Sequence, residues 1–96
     1  MNIDEILRNK KDEILKIAHR YGAKNIRIFG SIVRGEIKEK SDVDFLIELE
    51  PGRSLLDIIA MRQDLEDLLD CKVDVVTEAA LSPYIRDEVL SQVVSL

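Results

Sequence analysis

Hydrophobic positions along this chain keep two different rhythms. Ile3, Ile6, Leu7, Ile14, Leu15, Ile17, Ala18 and Tyr21 recur at the three- and four-residue spacing of one helical face. The polar stretch RNKKDE in the middle marks a possible break in that helix. Asn2 can cap the first turn with Glu5 completing a capping box, and Gly22 is a natural C-terminal stop. From Asn25 to Phe29 the rhythm shortens to two, with Ile26 and Ile28 on one side, which predicts a strand ended by Gly30. A brief helical turn over Ser31 to Arg34, closed by Gly35, and a polar loop over Glu36 to Ser41 are expected next.

Val43 to Leu49 reads as a second strand, terminated by Pro51-Gly52. Ser54 with Asp57 caps a further helix, whose apolar positions are Leu55, Ile58, Ile59, Leu65, Leu68 and Leu69. Lys72 to Val76 is a third strand. Ser82-Pro83 opens a last helix with the proline at its first position, running to about Leu90. Beyond it, the final residues fit either helix or a strand-like tail. Strands alternating with helices define an α/β (α+β) domain.

Composition narrows the class. The 96 residues leave room for one domain, 1–96, and their 46% hydrophobic content is ample for one interior. Aromatics are only 4%, so Ile, Leu and Val must fill the core. The apolar runs are too short to span a bilayer, and MNIDEILRNKKDE lacks the apolar stretch of a signal peptide. A single cysteine, Cys71, excludes an internal disulfide framework. Cytoplasmic residence is therefore expected.

The net charge of −5 argues against direct nucleic-acid binding, yet it conceals an asymmetry. Residues 1–40 carry ten Lys/Arg and six Asp/Glu, whereas residues 41–96 carry four and thirteen. Solvated helix faces account for such a division. So does a phosphate-attracting first half set against a metal-attracting second half.

Three features carry chemistry. Gly30-Ser31 follows a strand and opens a helical turn, where free N–H groups and a hydroxyl suit a phosphate chain. Asp42 and Asp44 lie one residue apart, so a strand places both carboxylates on one face and sends Val43 and Phe45 to the other. Such a pair repels itself unless a cation intervenes, and Mg²⁺ is the natural hard ion. Asp74 interrupts an apolar strand. If that strand lies beside the second, Asp74 can ligate the catalytic ion and accept the proton of an attacking hydroxyl. Each feature has a plain alternative: an N-cap serine, a solvated loop end and the outward face of a half-exposed strand.

Other residues are less decisive. Arg34 lies one turn from Ser31 and can contact phosphate or pair with a site aspartate. Ser41 shapes the turn before Asp42, and Lys38 and Lys40 are solvated loop charges able to steer an anion. His19 has no partner in the motif. Cys71 reads as a small buried hydrophobe, and Tyr84 and Arg86 as surface residues of the last helix.

Gly30-Ser31, ten intervening residues, Asp42-Val43-Asp44 and a later strand aspartate resemble the DNA polymerase beta-type nucleotidyltransferase superfamily. The short length and the Gly-Ser-x-x-Arg-Gly form are similar to its smallest branch, the minimal nucleotidyltransferases (MNT proteins). Val33 departs from the small residue more usual there, which affects packing of the turn but leaves the phosphate and metal groups in place. The resemblance implies a small mixed sheet flanked by helices, two Mg²⁺ ions and ATP as substrate. By motif position, Gly30, Ser31 and Arg34 would contact the nucleotide. Asp42, Asp44 and Asp74 would form the metal-binding catalytic set.

The resemblance further implies a partner. MNT proteins are commonly paired with helical HEPN proteins as antitoxin and toxin, so the expected reaction is AMP transfer to a HEPN tyrosine in a type VII-like toxin–antitoxin pair. Two alternatives stay open: a non-catalytic antitoxin that masks its partner, and a small-molecule nucleotidyltransferase of the aminoglycoside type working as an oligomer. The exposed apolar surface of so small a domain favours association, including a homo-oligomer.

Overall fold

The computed structural model describes residues 3–30 and 43–96. Expectations that fall on Asn2 and on 31–42, including the Ser31 turn, Arg34 and Asp42, lie outside the described residues. The first helical pattern is two helices, α1 (Ile3–Asn9) and α2 (Lys11–Arg20), with the break inside RNKKDE. Lys10 sits at that break and donates from Nζ to the carbonyl of Leu68, 2.8 Å away, tying the bend to a distant segment. Gly22 has φ +77°, a left-handed turn that admits glycine at little cost.

Four strands form one mixed sheet: β1 (Ala23–Phe29), β2 (Val43–Leu49), β3 (Val73–Thr77) and β4 (Val94–Ser95), in the spatial order β3-β2-β1-β4. The first pair is antiparallel and the β2–β3 pair is parallel, bridged by helix α3 (Leu55–Leu69). The second strand has the bounds its sequence predicts. The first begins two residues earlier than expected, because the chain pairs through a bulge: Asn25 has φ +52° and the register shifts between Lys24 and Arg27. The third strand lies one residue later than Lys72 to Val76. A short 3₁₀ helix, Glu78–Ala80, follows it and was not foreseen.

The last helix, α4 (Pro83–Gln92), starts at the expected proline, and Ser82 accepts a hydrogen bond from the Tyr84 N–H at 3.3 Å. It continues two residues beyond Leu90. The strand-like alternative for the tail is the one observed, with Val94 opposite Ile28 at the sheet edge.

One face of the sheet builds the core. Ile26, Ile28, Val43, Phe45, Ile47, Val73 and Val75 bury themselves against Leu7, Ile14 and Ala18 of the first two helices and Met61, Leu65 and Leu69 of α3. Phe45 is 0% exposed, the largest side chain among those fully buried. At the start of α3 the Asp57 carboxylate accepts from the Ser54 N–H at 3.0 Å, as the capping reading requires. Its apolar pattern needs correction: Leu55 is 68% exposed and Ile59 41%, while Met61 is buried in their stead. Of the first turn only Ile58 packs against the core, and the fully buried positions belong to the later turns.

Candidate active site

The second face of the sheet carries the polar groups. Pleating sends Phe29, Asp44 and Asp74 to that face as one row across three strands, since Asp44 pairs with Phe29 on one side and with Asp74 on the other. The two aspartates therefore stand on adjacent strands, whose backbones are about 4.8 Å apart, with carboxylates on the same side. Val43 and Phe45 turn inward, as the alternation predicts, and both are buried. Asp44 is half-buried and Asp74 is exposed.

Gly30 ends β1 directly beside this row. Its φ is +87°, and a Cβ built there would collide with Oδ2 of Asp44. The backbone conformation favours glycine, and any side chain there would also displace the Asp44 carboxylate. Sequence reasoning gave only the approach of a phosphate as the glycine's purpose.

Around the two aspartates lies an open cleft of about 490 Å³, lined by Asp44, Arg62, Glu66, Lys72, Val73 and Asp74. Arg62 and Glu66 come from α3, with Nε to Oε1 at 4.0 Å. Neither these two nor Lys72 were singled out from the sequence. Lys72 had a legible signal, since in the strand expected over Lys72 to Val76 it shares a face with Asp74. Arg62 and Glu66 had none, because their place depends on how the helix sits against the sheet edge.

The donor set fits a divalent cation. Two carboxylates on one row supply hard oxygen ligands and repel each other without a cation. Among the described residues no group of three metal-ligating side chains is found. Asp42, the remaining expected ligand, lies outside them, as do Ser31 and Arg34.

One row further along the same face lies Arg27, a buried cation between Ile26 and Ile28. It is 7% exposed, its Nη1 reaches Oε1 of Glu78 at 2.5 Å, and its Nε donates to the carbonyl of Asn25 at 3.1 Å. The bulge at Asn25 turns that carbonyl toward the guanidinium. This ion pair passes over β2 and pins the 3₁₀ helix to the sheet, while Nη2 of Arg27 has no partner among the described residues. The sequence signal for it was a lone arginine between Ile26 and Ile28.

The less decisive candidates are scattered. His19 is exposed on α2, away from the aspartates. Cys71 packs partly against the core, close to its expected role. Tyr84 is 97% exposed and Arg86 lies on the same helix, near Glu48 and Glu78 rather than the carboxylate row. Among the described residues no helix is long and apolar enough to cross a membrane.

Comparison with known proteins gives a consistent result. The model of the nucleotidyltransferase domain family matches residues 11–96. The protein adenylyltransferase MntA of Thermococcus cleftensis is 44% identical over 92 residues, covering 96% of this chain and 90% of that protein. The solved structure of a proposed minimal nucleotidyltransferase superposes with TM-score 0.87 at 41% identity, over 100% of this chain and 97% of the other. In a structure of a tri-AMPylated Shewanella oneidensis HEPN toxin in complex with an MNT antitoxin, the matched chain has TM-score 0.69 at 20% identity, over 92% of this chain and 69% of that one. That last likeness is one of fold alone.

Proposed function

The chain belongs to the nucleotidyltransferase domain family, and from that premise we propose that it is a Mg²⁺-dependent adenylyltransferase modifying a hydroxyl of a HEPN partner, acting as the antitoxin of the pair. The observation that carries the reading is the shared row of Asp44 and Asp74 beside Gly30. A solvated loop end or a half-exposed strand would explain either aspartate alone. Neither explains why two strands in parallel register bring both to one spot.

The chemistry follows from that placement. Asp42, Asp44 and Asp74 would hold two Mg²⁺ ions, which when bound supply charge neutralisation around the α-phosphate of ATP. Gly30 and Ser31 offer N–H groups and a hydroxyl to the triphosphate, and Arg34 offers a guanidinium. Asp74, on the strand farther from the triphosphate turn, accepts the proton of the incoming hydroxyl. The acceptor oxygen forms a bond to the α-phosphorus, the bond to pyrophosphate breaks, and pyrophosphate leaves. The protein contributes positioning and electrostatics rather than a covalent intermediate.

The acceptor proposed is a tyrosine of a HEPN toxin in the cytoplasm. The name of the Thermococcus relative supports adenylyl transfer to a protein, and the Shewanella complex, alike in fold, pairs an MNT antitoxin with an AMPylated HEPN toxin. Incubation with ATP, Mg²⁺ and the HEPN partner, followed by mass spectrometry of that partner, tests the reading. A mass increase of one or more AMP units is expected. No increase, with a tight complex that survives Asp44→Ala, would instead make the protein a masking antitoxin.

A further inference from the structure

The cleft around Asp44 and Asp74 has two unlike flanks. Gly30 borders Asp44 on the β1 side. On the β3 side of the cleft stand two cations: Lys72, two residues before Asp74 on the same segment, and Arg62 from α3. The Lys72 carbonyl accepts from the Val43 N–H at 3.0 Å, but its ammonium makes no hydrogen bond or ion pair among the described residues. Arg62 has only the 4.0 Å approach to Glu66, between side chains each more than a third exposed, an interaction of little worth.

These cations first look like counter-charges for the carboxylates. That role lapses once divalent ions neutralise Asp44 and Asp74, because an ammonium and a guanidinium beside the ions then need another anion. The triphosphate does not meet the need if it lies on the Gly30 side. What lies on the Asp74 side is the acceptor.

We propose that Lys72 and Arg62 form an anion-binding flank that selects acceptors carrying a negative group next to the attacking hydroxyl. This rests on the adenylyl-transfer reading above and adds a specificity element to it. The anion is an oxyanion: the carboxylate of a residue beside the hydroxyl, or the phosphodiester of an AMP already transferred. Guanidinium and ammonium groups bind both. The transfer step is unchanged: the acceptor O–P bond forms, the bond to pyrophosphate breaks, and the proton passes to Asp74. Lys72 and Arg62 act by holding the acceptor, so they are specificity residues.

The test uses a HEPN-domain acceptor in three forms: with Asp beside the target tyrosine, with Ala in its place, and singly AMPylated. The whole chain and its R62Q/K72Q variant are assayed with ATP and Mg²⁺ for kcat/KM on each form, and separately for ATP affinity. The parent is expected to favour at least one anionic form over the Ala form by about tenfold or more, the scale of a charged hydrogen bond. The preferred form names the source of the anion. The variant should lose that preference while its ATP Kd stays within about twofold of the parent's. No preference in the parent, a preference retained by the variant, or ATP binding weakened about tenfold would each overturn the flank while leaving adenylyl transfer standing. Absence of transfer by the parent to all three forms would overturn both.

Discussion

Asp44 and Asp74 are register partners across the parallel β2–β3 pair, so the chain carries two like charges side by side on one sheet face. Removing one relieves repulsion and removes chemistry together. Asp74→Asn should lower AMP transfer by about a hundredfold or more, the scale of a lost general base. The same variant, melted without metal, should be as stable as the parent or slightly more so. A marked fall in its thermal midpoint would make Asp74 a structural residue instead.

Gly30 and Asp44 are coupled by space. Gly30→Ala forces a side chain into a left-handed backbone at φ +87° and against the Asp44 carboxylate. The backbone alone accounts for about 1–2 kcal/mol of lost stability, measurable by urea denaturation. Transfer should fall much further than stability, because the carboxylate must move. If transfer tracks the folded fraction alone, the contact has no role in the site.

How much of this was legible beforehand depends on locality. Strand bounds set by sharp punctuation were readable: Pro51-Gly52 closes β2, and Ser82-Pro83 opens α4. Alternation alone placed Asp44 opposite in sense to Val43 and Phe45. The row shared with Asp74 was foreseeable only as a condition, since register between strands separated by a helix is not written in either strand. What alternation could not supply was anything caused by tertiary placement. The bulge at Asn25, the burial of Arg27 and the exposure of Leu55 all reflect where elements come to rest, and helical spacing over Leu55 to Leu69 says nothing about which turns pack against the core.

Glu78 shields a guanidinium that has little water. Glu78→Ala would leave Arg27 buried with two guanidinium nitrogens unpaired instead of one. The expected loss is about 2–3 kcal/mol, kept at the low end because the carboxylate is 26% exposed. Arg27→Met in that background should recover much of it by removing the stranded charge. A double-mutant cycle with no coupling would show the pair to be incidental.

The Tyr21 hydroxyl donates to Oδ2 of Asp64 at 2.6 Å, joining the end of α2 to α3. That hydrogen bond, followed by burial, holds the phenol protonated and raises its pKa above the ordinary tyrosine value. The contribution to stability is complete below the ordinary pKa and is lost as pH rises through the raised one. Tyr21→Phe should therefore lower the thermal midpoint at neutral pH and flatten its decline above about pH 10. An identical alkaline decline in parent and variant would remove Tyr21 from that account.

Phe45 is fully enclosed between the sheet and its helices. Phe45→Ala should cost about 3–5 kcal/mol in denaturant unfolding, the combined loss of burial and a residual cavity. A cost below about 1 kcal/mol would mean the core collapses around the gap.

The parallel pairing of β2 with β3 has a consequence for synthesis. Asp74 reaches Asp44 only after the polypeptide has travelled out along α3 and returned. A ribosome that has released only the first fifty residues has therefore presented one acid of the pair without the other. The capacity to modify a target arises only once the return strand has zipped home.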